Sequence, residues 1–276
     1  DFGIRACKAA LGDLLTAPDK TLVESISERG SIDPANLRMR DAALHFAMLY
    51  HLGGEEGHAR RSALLLKRFA EVTPKWPLHN SYHKEPKTAF AQDDPKAYKD
   101  EFCAGLWGTW LHCDIESGAQ TVGVAYDLIR NSKLLAKLGA RPGIEAMLRR
   151  HVDLQLRFIH FSNMDGSQIL GMLAIAEILP EPEYVHRAVW WVKGIYKTQF
   201  YADGWWHEGS PDYHSQIHWR LRKICLENLK GYSDPPGFVS KFDGKRFDNL
   251  DLESEIGGGV RRADRALTKV IMPDGR

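Results

Sequence analysis

Cysteine is scarce in this chain. Among 276 residues there are four, Cys7, Cys103, Cys113 and Cys225, and no two stand as a CxxC pair. That excludes the usual structural zinc site and a disulfide-stapled scaffold. Cys103 and Cys113 can bridge only if their Cα atoms come within about 7 Å, so buried thiols are the expectation. An excess of one charge is also missing: 37 Lys and Arg balance 36 Asp and Glu, which excludes a globally basic nucleic-acid binder. Long apolar runs are absent. The longest, Ile169 to Leu179, is broken by Gly171 and Glu177 and falls short of the roughly 18–20 residues that cross a bilayer, so no membrane partner is expected. Val, Ile and Thr never gather into alternating runs closed by two-residue turns, which argues against a sheet protein. Neither a Met nor an apolar leader opens the chain at Asp1, and it reads as a mature or trimmed product.

What is present is apolar residue at helical spacing. Hydrophobic residues make up 43 % of the chain, enough for the core of one large domain or two small ones. Asp41 to Leu52 carries Ala43, Phe46, Ala47 and Tyr50 at steps of three and four, and His58 to Val72 does the same with Leu65, Leu66, Phe69 and Ala70. Gly53-Gly54-Glu55-Glu56 between them reads as the turn of an antiparallel pair. Gln120 to Arg130, Pro142 to His160, Asn163 to Leu179, Glu183 to Tyr201 and Pro211 to Lys230 continue the rhythm, so the fold class is all-α. The helix after Asn163 is apolar nearly all round, as one enclosed by other helices is. Thr73 to Asp100 lacks periodicity and reads as a long functional loop. After Gly231 the texture changes, and Val270 to Arg276 reads as a short strand entering a turn.

Two stretches carry chemistry. In Asp203-Gly204-Trp205-Trp206-His207-Glu208-Gly209-Ser210-Pro211-Asp212-Tyr213-His214, Ser210 is an N-cap and Pro211 stands at N1, so Tyr213 falls in the first turn of a helix. The positive end of the dipole favours a phenolate there, and Asp212 opposes it. The bland alternative is aromatic packing at a loop-to-helix junction. The second stretch, Ser162-Asn163-Met164-Asp165, precedes the enclosed helix 50 residues before Tyr213. Its bland reading is a helix cap by Asn163 or Ser162. With one helix pair between them, both helix starts can open at the same end of a helical ring, where the ring-end loops would converge on one cleft.

These residues carry a resemblance. Asn163 ahead of an inner helix, DGWWHEGSPDYH (203–214) and the final VIMPDGR, together with GLWGTW (105–110) and AYDLI (125–129) upstream, look like the helical domain of the heparinase II/III and alginate-lyase superfamily of polysaccharide lyases. The similarity covers about Arg38 to Arg276. It implies an incomplete (α/α) toroid of antiparallel helix pairs over residues 1–232. Residues 233–276 would be a linker and the start of a β-rich domain, with a β-sandwich following Arg276. It further implies cleavage of a uronic-acid polysaccharide by β-elimination, in the periplasm or outside the cell, with neither cofactor nor metal.

Residue by residue, the resemblance makes Asn163 the group that neutralises the uronate carboxylate and Tyr213 the acid and base, with His214 beside it as in several members. Met164 departs from the pattern, since many members have His there, and the isolated domain is expected to be a slow catalyst. His79, Asn80 and Tyr82, with His83, read as a glycan-facing loop rather than a metal cluster. Trp76, Trp107, Trp110 and Trp206 are candidates to stack on sugars, and His207 and Arg220 to contact the acidic chain. Two rivals remain. One is an (α/α)-barrel glycoside hydrolase with Asp165 and Glu208 as paired carboxylates, which need roughly 5–10 Å between them. The other is a non-catalytic glycan-binding domain.

Overall fold

The computed structural model describes residues 2–80, 88–94, 104–108, 114, 118–157, 159 and 161–270. Tyr82, His83, Cys103, Trp110, Cys113 and residues 271–276, the expected final strand included, lie outside the described residues. The helices read from apolar spacing are present, further ones stand at Phe2–Leu11, Asp19–Glu24, Lys133–Lys137, Leu252–Glu255 and Gly259–Thr268, and all divide between two units, residues 1–158 and 159–276. The fold is all-α.

In the first unit the helices are α1 (Phe2–Leu11), α2 (Asp19–Glu24), α3 (Pro34–Gly53), α4 (Glu56–Val72), α5 (Gln120–Ile129), α6 (Lys133–Lys137) and α7 (Arg141–Leu156). Helix α3 begins seven residues before the Asp41 expected from periodicity. Pro34 fits N1, and the Asp33 carboxylate accepts the Ala35 N–H at 3.0 Å, a cap that overrides the weak apolar spacing of the first two turns. Gly54, at φ 76°, ends the helix in the left-handed region, and the Ser62 hydroxyl of α4 donates to the Ala43 carbonyl at 2.8 Å. The stretch read as an irregular loop contains strands β1 (Leu78–Asn80) and β2 (Thr88–Phe90), and β3 (Ala104–Gly105) completes an antiparallel sheet in the order β2-β1-β3. With two or three residues per strand, alternation has no length in which to show.

The core of this unit is aromatic. Trp76 packs edge-on to Phe69 and Trp107, with centroids 6.0 and 4.8 Å away, and Phe69 lies 5.2 Å from Trp107. The Trp76 indole donates to the Ser27 carbonyl at 2.9 Å and that of Trp107 to His151 Nε2 at 3.2 Å, so each ring is satisfied where it is buried. Asp114 is buried and accepts backbone N–H groups from Leu106, Trp107 and Gly108. Burial pushes its carboxyl up to about 7 against the pull of those donors.

The second unit holds α8 (Asp165–Ile178), α9 (Pro182–Thr198), α10 (Pro211–Lys223), which runs on into one π turn at Ile224–Asn228, α11 (Leu252–Glu255) and α12 (Gly259–Thr268). Helix α8 buries Ile169, Met172, Ile175 and Ala176, as its all-round apolar pattern requires. Residues 252–268, expected within a linker leading to a β-rich domain, are largely helical. The irregular segment before them is docked on α9. His186, fully buried, meets Asp243 through Nδ1 and Asp234 through Nε2, both at 3.0 Å, and Phe247 stacks on its ring at 4.1 Å. Pro and Gly content marks irregular backbone; it does not distinguish a free linker from a pinned loop.

Candidate functional site

Helix α10 starts as its sequence dictates. The Ser210 hydroxyl accepts the Tyr213 N–H at 3.4 Å, with Pro211 at the first helical position. Tyr213, Gln216 and Arg220 then follow at i, i+3 and i+7, which puts all three on one face. Tyr213 is 44 % exposed, so its phenol meets solvent and any ligand lying along the helix. Arg220 has no ion pair among the described residues, and its guanidinium donates to the Gln216 carbonyl at 3.0 Å.

The start of α8 lies against that face. Asn163 is not the cap of α8. Ser162 makes the local turn instead, accepting the Met164 N–H at 3.2 Å and donating to Asp165 at 3.1 Å. The Asn163 carboxamide is thereby released to reach across, and its Nδ2 donates to Gln216 Oε1 at 3.0 Å. One turn on, a Cβ at Gly166 would lie 2.5 Å from Arg220 Cβ. Only glycine lets the two helices approach this closely. The rungs Asn163 to Gln216 and Gly166 to Arg220 mean that α8 and α10 run in the same direction, with their N-termini at one end. Gln216 and Gly166 were not singled out from the sequence. A glycine one turn after Asn163 and a polar residue one turn after Tyr213 are their only traces there, and neither is distinctive.

Other expected site residues have different roles. His214 is fully buried on the opposite side of α10. Its Nδ1 accepts the Trp206 N–H at 3.1 Å, and Nε2 faces the Ala263 carbonyl at 3.2 Å, which fixes the neutral Nε2–H tautomer. Burial, then the neighbouring His218, holds it down at about 4. With both nitrogens committed and no charge at neutral pH, His214 neither moves a proton for a substrate nor supplies a cation to Tyr213. This corrects its assignment as catalytic. Trp206 is fully buried and its indole donates to Glu208, so its expected place against a sugar is taken by packing. Trp76 and Trp107, each 1 % exposed, are corrected in the same way, because their faces are covered by each other and by Phe69. His79 is buried on β1 with Nε2 facing the Arg29 carbonyl at 3.1 Å, and Asn80 follows it on the same strand. His207 is exposed, its ring 4.5 Å from Trp206.

The paired-carboxylate alternative fails on Asp165. Its oxygens accept from the Trp191 indole at 2.9 Å and from the Ser162 hydroxyl, and the residue has no exposed surface. Burial pushes its carboxyl up to about 7. A side chain so enclosed cannot reach a glycosidic oxygen, whatever the position of the exposed Glu208. Trp219, missed in the sequence, is 70 % exposed on α10 with the Arg222 guanidinium 5.8 Å from its ring centre. Among the described residues no three of His, Cys, Asp and Glu are gathered as a metal ion would require.

No protein-family model matches the chain, and no curated protein matches it in sequence. Among solved structures it is similar to the heparan sulfate lyase HepC from Pedobacter heparinus, with a TM-score of 0.50 and 17 % identity over 92 % of this chain. A mutant of that enzyme gives the same TM-score at 16 % identity. This chain spans 35 % of the length of those structures. At such identity the likeness is one of fold, and the fold is polysaccharide-lyase-like.

Proposed function

We propose that the chain acts as a polysaccharide lyase, cleaving an acidic polysaccharide that contains uronic acid by β-elimination, in the periplasm or outside the cell. The observation that carries the reading is the Asn163 to Gln216 hydrogen bond. It brings a carboxamide onto the face of α10 that displays the exposed Tyr213 phenol and Arg220, which has no ion pair among the described residues. The fold shared with a heparan sulfate lyase supports it.

Elimination removes the C5 proton of a uronate, turns its electron pair into a C4–C5 double bond, and expels the C4 oxygen, which takes up a proton. The uronate carboxylate is already anionic and resists carbanion formation next to it. Neutral amide donors and a cation held at that carboxylate stabilise the charge that grows on it, as donors do in an oxyanion hole. Asn163 and Arg220 fill that role. Tyr213, on the same face and acting as its phenolate, takes the C5 proton to become the phenol and then gives that proton to the leaving oxygen, which restores the phenolate, as one group can when the two lie on the same side of the ring. No part falls to His214 or Asp165.

The test is incubation of the chain with alginate, heparan sulfate, hyaluronan and chondroitin sulfate, and with a neutral glucan, while the absorbance of the C4–C5 double bond is followed. The proposal expects a rise with at least one acidic polymer and none with the glucan. A flat trace on every acidic polymer overturns it.

A further inference from the structure

We propose that Gln216 is a second carboxylate donor of the site, its amide locked by Asn163 into presenting N–H and not oxygen to the substrate. The inference rests on the lyase reading and adds to it a residue that fixes selectivity for an anion. A carboxamide is ambivalent, having one oxygen that accepts and one nitrogen that donates twice. Free in solvent it greets an anion and a cation about equally. Here the Gln216 oxygen is occupied by Asn163 Nδ2 at 3.0 Å, and its Nε2 has no partner among the described residues. The oxygen therefore faces α8, and the donors face away from it. Asn163 is constrained in the same contact. One of its two Nδ2 hydrogens goes to Gln216 and the other stays free.

The surroundings fit an anion. Gln216 is exposed, one turn from Tyr213 and one turn from Arg220, and Arg220 bonds to its backbone carbonyl at 3.0 Å. Arg220 is held along this face by its stem, which lies against Gly166. Asp212, exposed four residues before Gln216, shares nearly its face of the helix, and the Arg220 guanidinium, four residues after Gln216, is the cation that balances it there. A uronate carboxylate at this face meets the free Asn163 N–H, two Gln216 N–H groups and the Arg220 guanidinium. Charged acceptors strengthen each of these bonds.

The comparison of Gln216→Glu with Gln216→Met separates donation from mere support of Asn163. A Glu side chain still accepts from Asn163 but turns a carboxylate toward the substrate, whereas Met loses the acceptor and adds no charge. With the full 276-residue chain and the acidic polymer it cleaves fastest, we expect kcat/KM to fall at least about tenfold for Gln216→Met. For Gln216→Glu the fall should reach at least about 10²-fold, with thermal midpoints within a few degrees of the parent. Gln216→Glu matching the parent, or exceeding Gln216→Met, overturns the proposal, since the residue would then serve only to hold Asn163. A parallel arm titrates saturated oligosaccharides of alginate and heparan sulfate and reads binding without turnover. Binding by the parent that is weakened more by Glu than by Met supports the donor role even if no double bond forms, an outcome in which only the lyase reading fails. Equal binding by all three overturns it.

Discussion

Two tryptophan-bearing regions look alike in the sequence and behave in opposite ways. In the first unit Trp76 and Trp107 point inward, each 1 % exposed, with both indole N–H groups bonded. On α10 the aromatic residues Tyr213 and Trp219 point outward, 44 and 70 % exposed, beside Gln216, Arg220 and Arg222. An aromatic residue near a loop advertises a glycan platform only if its face is open, and composition is blind to that. The first region is closed and the second open, so on the lyase reading substitutions in them should divide between loss of fold and loss of turnover.

The largest effect belongs to the buried cluster. Trp107→Ala leaves a cavity against Phe69 and Trp76 and an orphaned His151 nitrogen, and should cost about 3–5 kcal/mol. Chemical denaturation checks this, and a loss below 1 kcal/mol would mean that the cluster does not carry the unit. Next is Tyr213→Phe on the open face. Turnover should fall at least about 10²-fold, the usual cost of losing a general acid or base, while the denaturation midpoint stays where it was. Gly166→Ala lies between the two classes. Its Cβ, 2.5 Å from that of Arg220, forces α8 and α10 apart and should cost roughly 1–3 kcal/mol. Because the Asn163 rung opens with it, turnover should fall too.

A smaller effect concerns pH. The Asp165 carboxyl is raised by burial to about 7 in the folded chain, above its unfolded value, so folding favours the protonated form. The stability it contributes is complete below about pH 4 and is lost as pH climbs to about 7. His214 has the opposite sense: lowered by burial to about 4, it contributes fully above about pH 6.5 and loses that contribution as pH falls. Asp165→Asn should therefore gain on the parent between pH 4 and pH 8. A relative rise of about 3 °C in thermal midpoint corresponds to roughly 1 kcal/mol for a domain of this size. A gap that does not change with pH would contradict a carboxyl whose burial outweighs its hydrogen bonds from Trp191 and Ser162. Smallest of all, Trp219→Ala should leave stability within about 0.5 kcal/mol, whereas Trp107→Ala should not.

The helices were legible because each buries one stripe, and burial writes a period of 3.6 into the sequence. The cap at Ser210 and Pro211 was legible too, since its chemistry is local. The early start of α3 at Pro34 was there to be read in Asp33-Pro34 and was masked by weak apolar spacing. The three short strands were not legible, and neither was the docking of residues 233–251 by His186, because both depend on partners far along the chain. At the site, Asn163 and Tyr213 were named through the family resemblance, their helix starts alone reading equally as a cap and as aromatic packing. What decides their surroundings is the rung pairing, Asn163 with Gln216 and Gly166 with Arg220, which is tertiary. His214 shows the converse: its neighbour Tyr213 points to solvent, and one residue of helical rotation turns the imidazole into the core.

The most direct test of the account is the fate of solvent oxygen during cleavage. Digestion of the preferred acidic polymer in oxygen-18 water, followed by mass spectrometry of the fragments, tells elimination from hydrolysis without assuming which residue acts. Elimination predicts unsaturated fragments that have gained no water and carry no label from the cleavage step, and Tyr213→Phe should suppress their formation. Saturated fragments bearing one heavy oxygen at the new end would contradict the lyase reading and the assignment of Tyr213 with it.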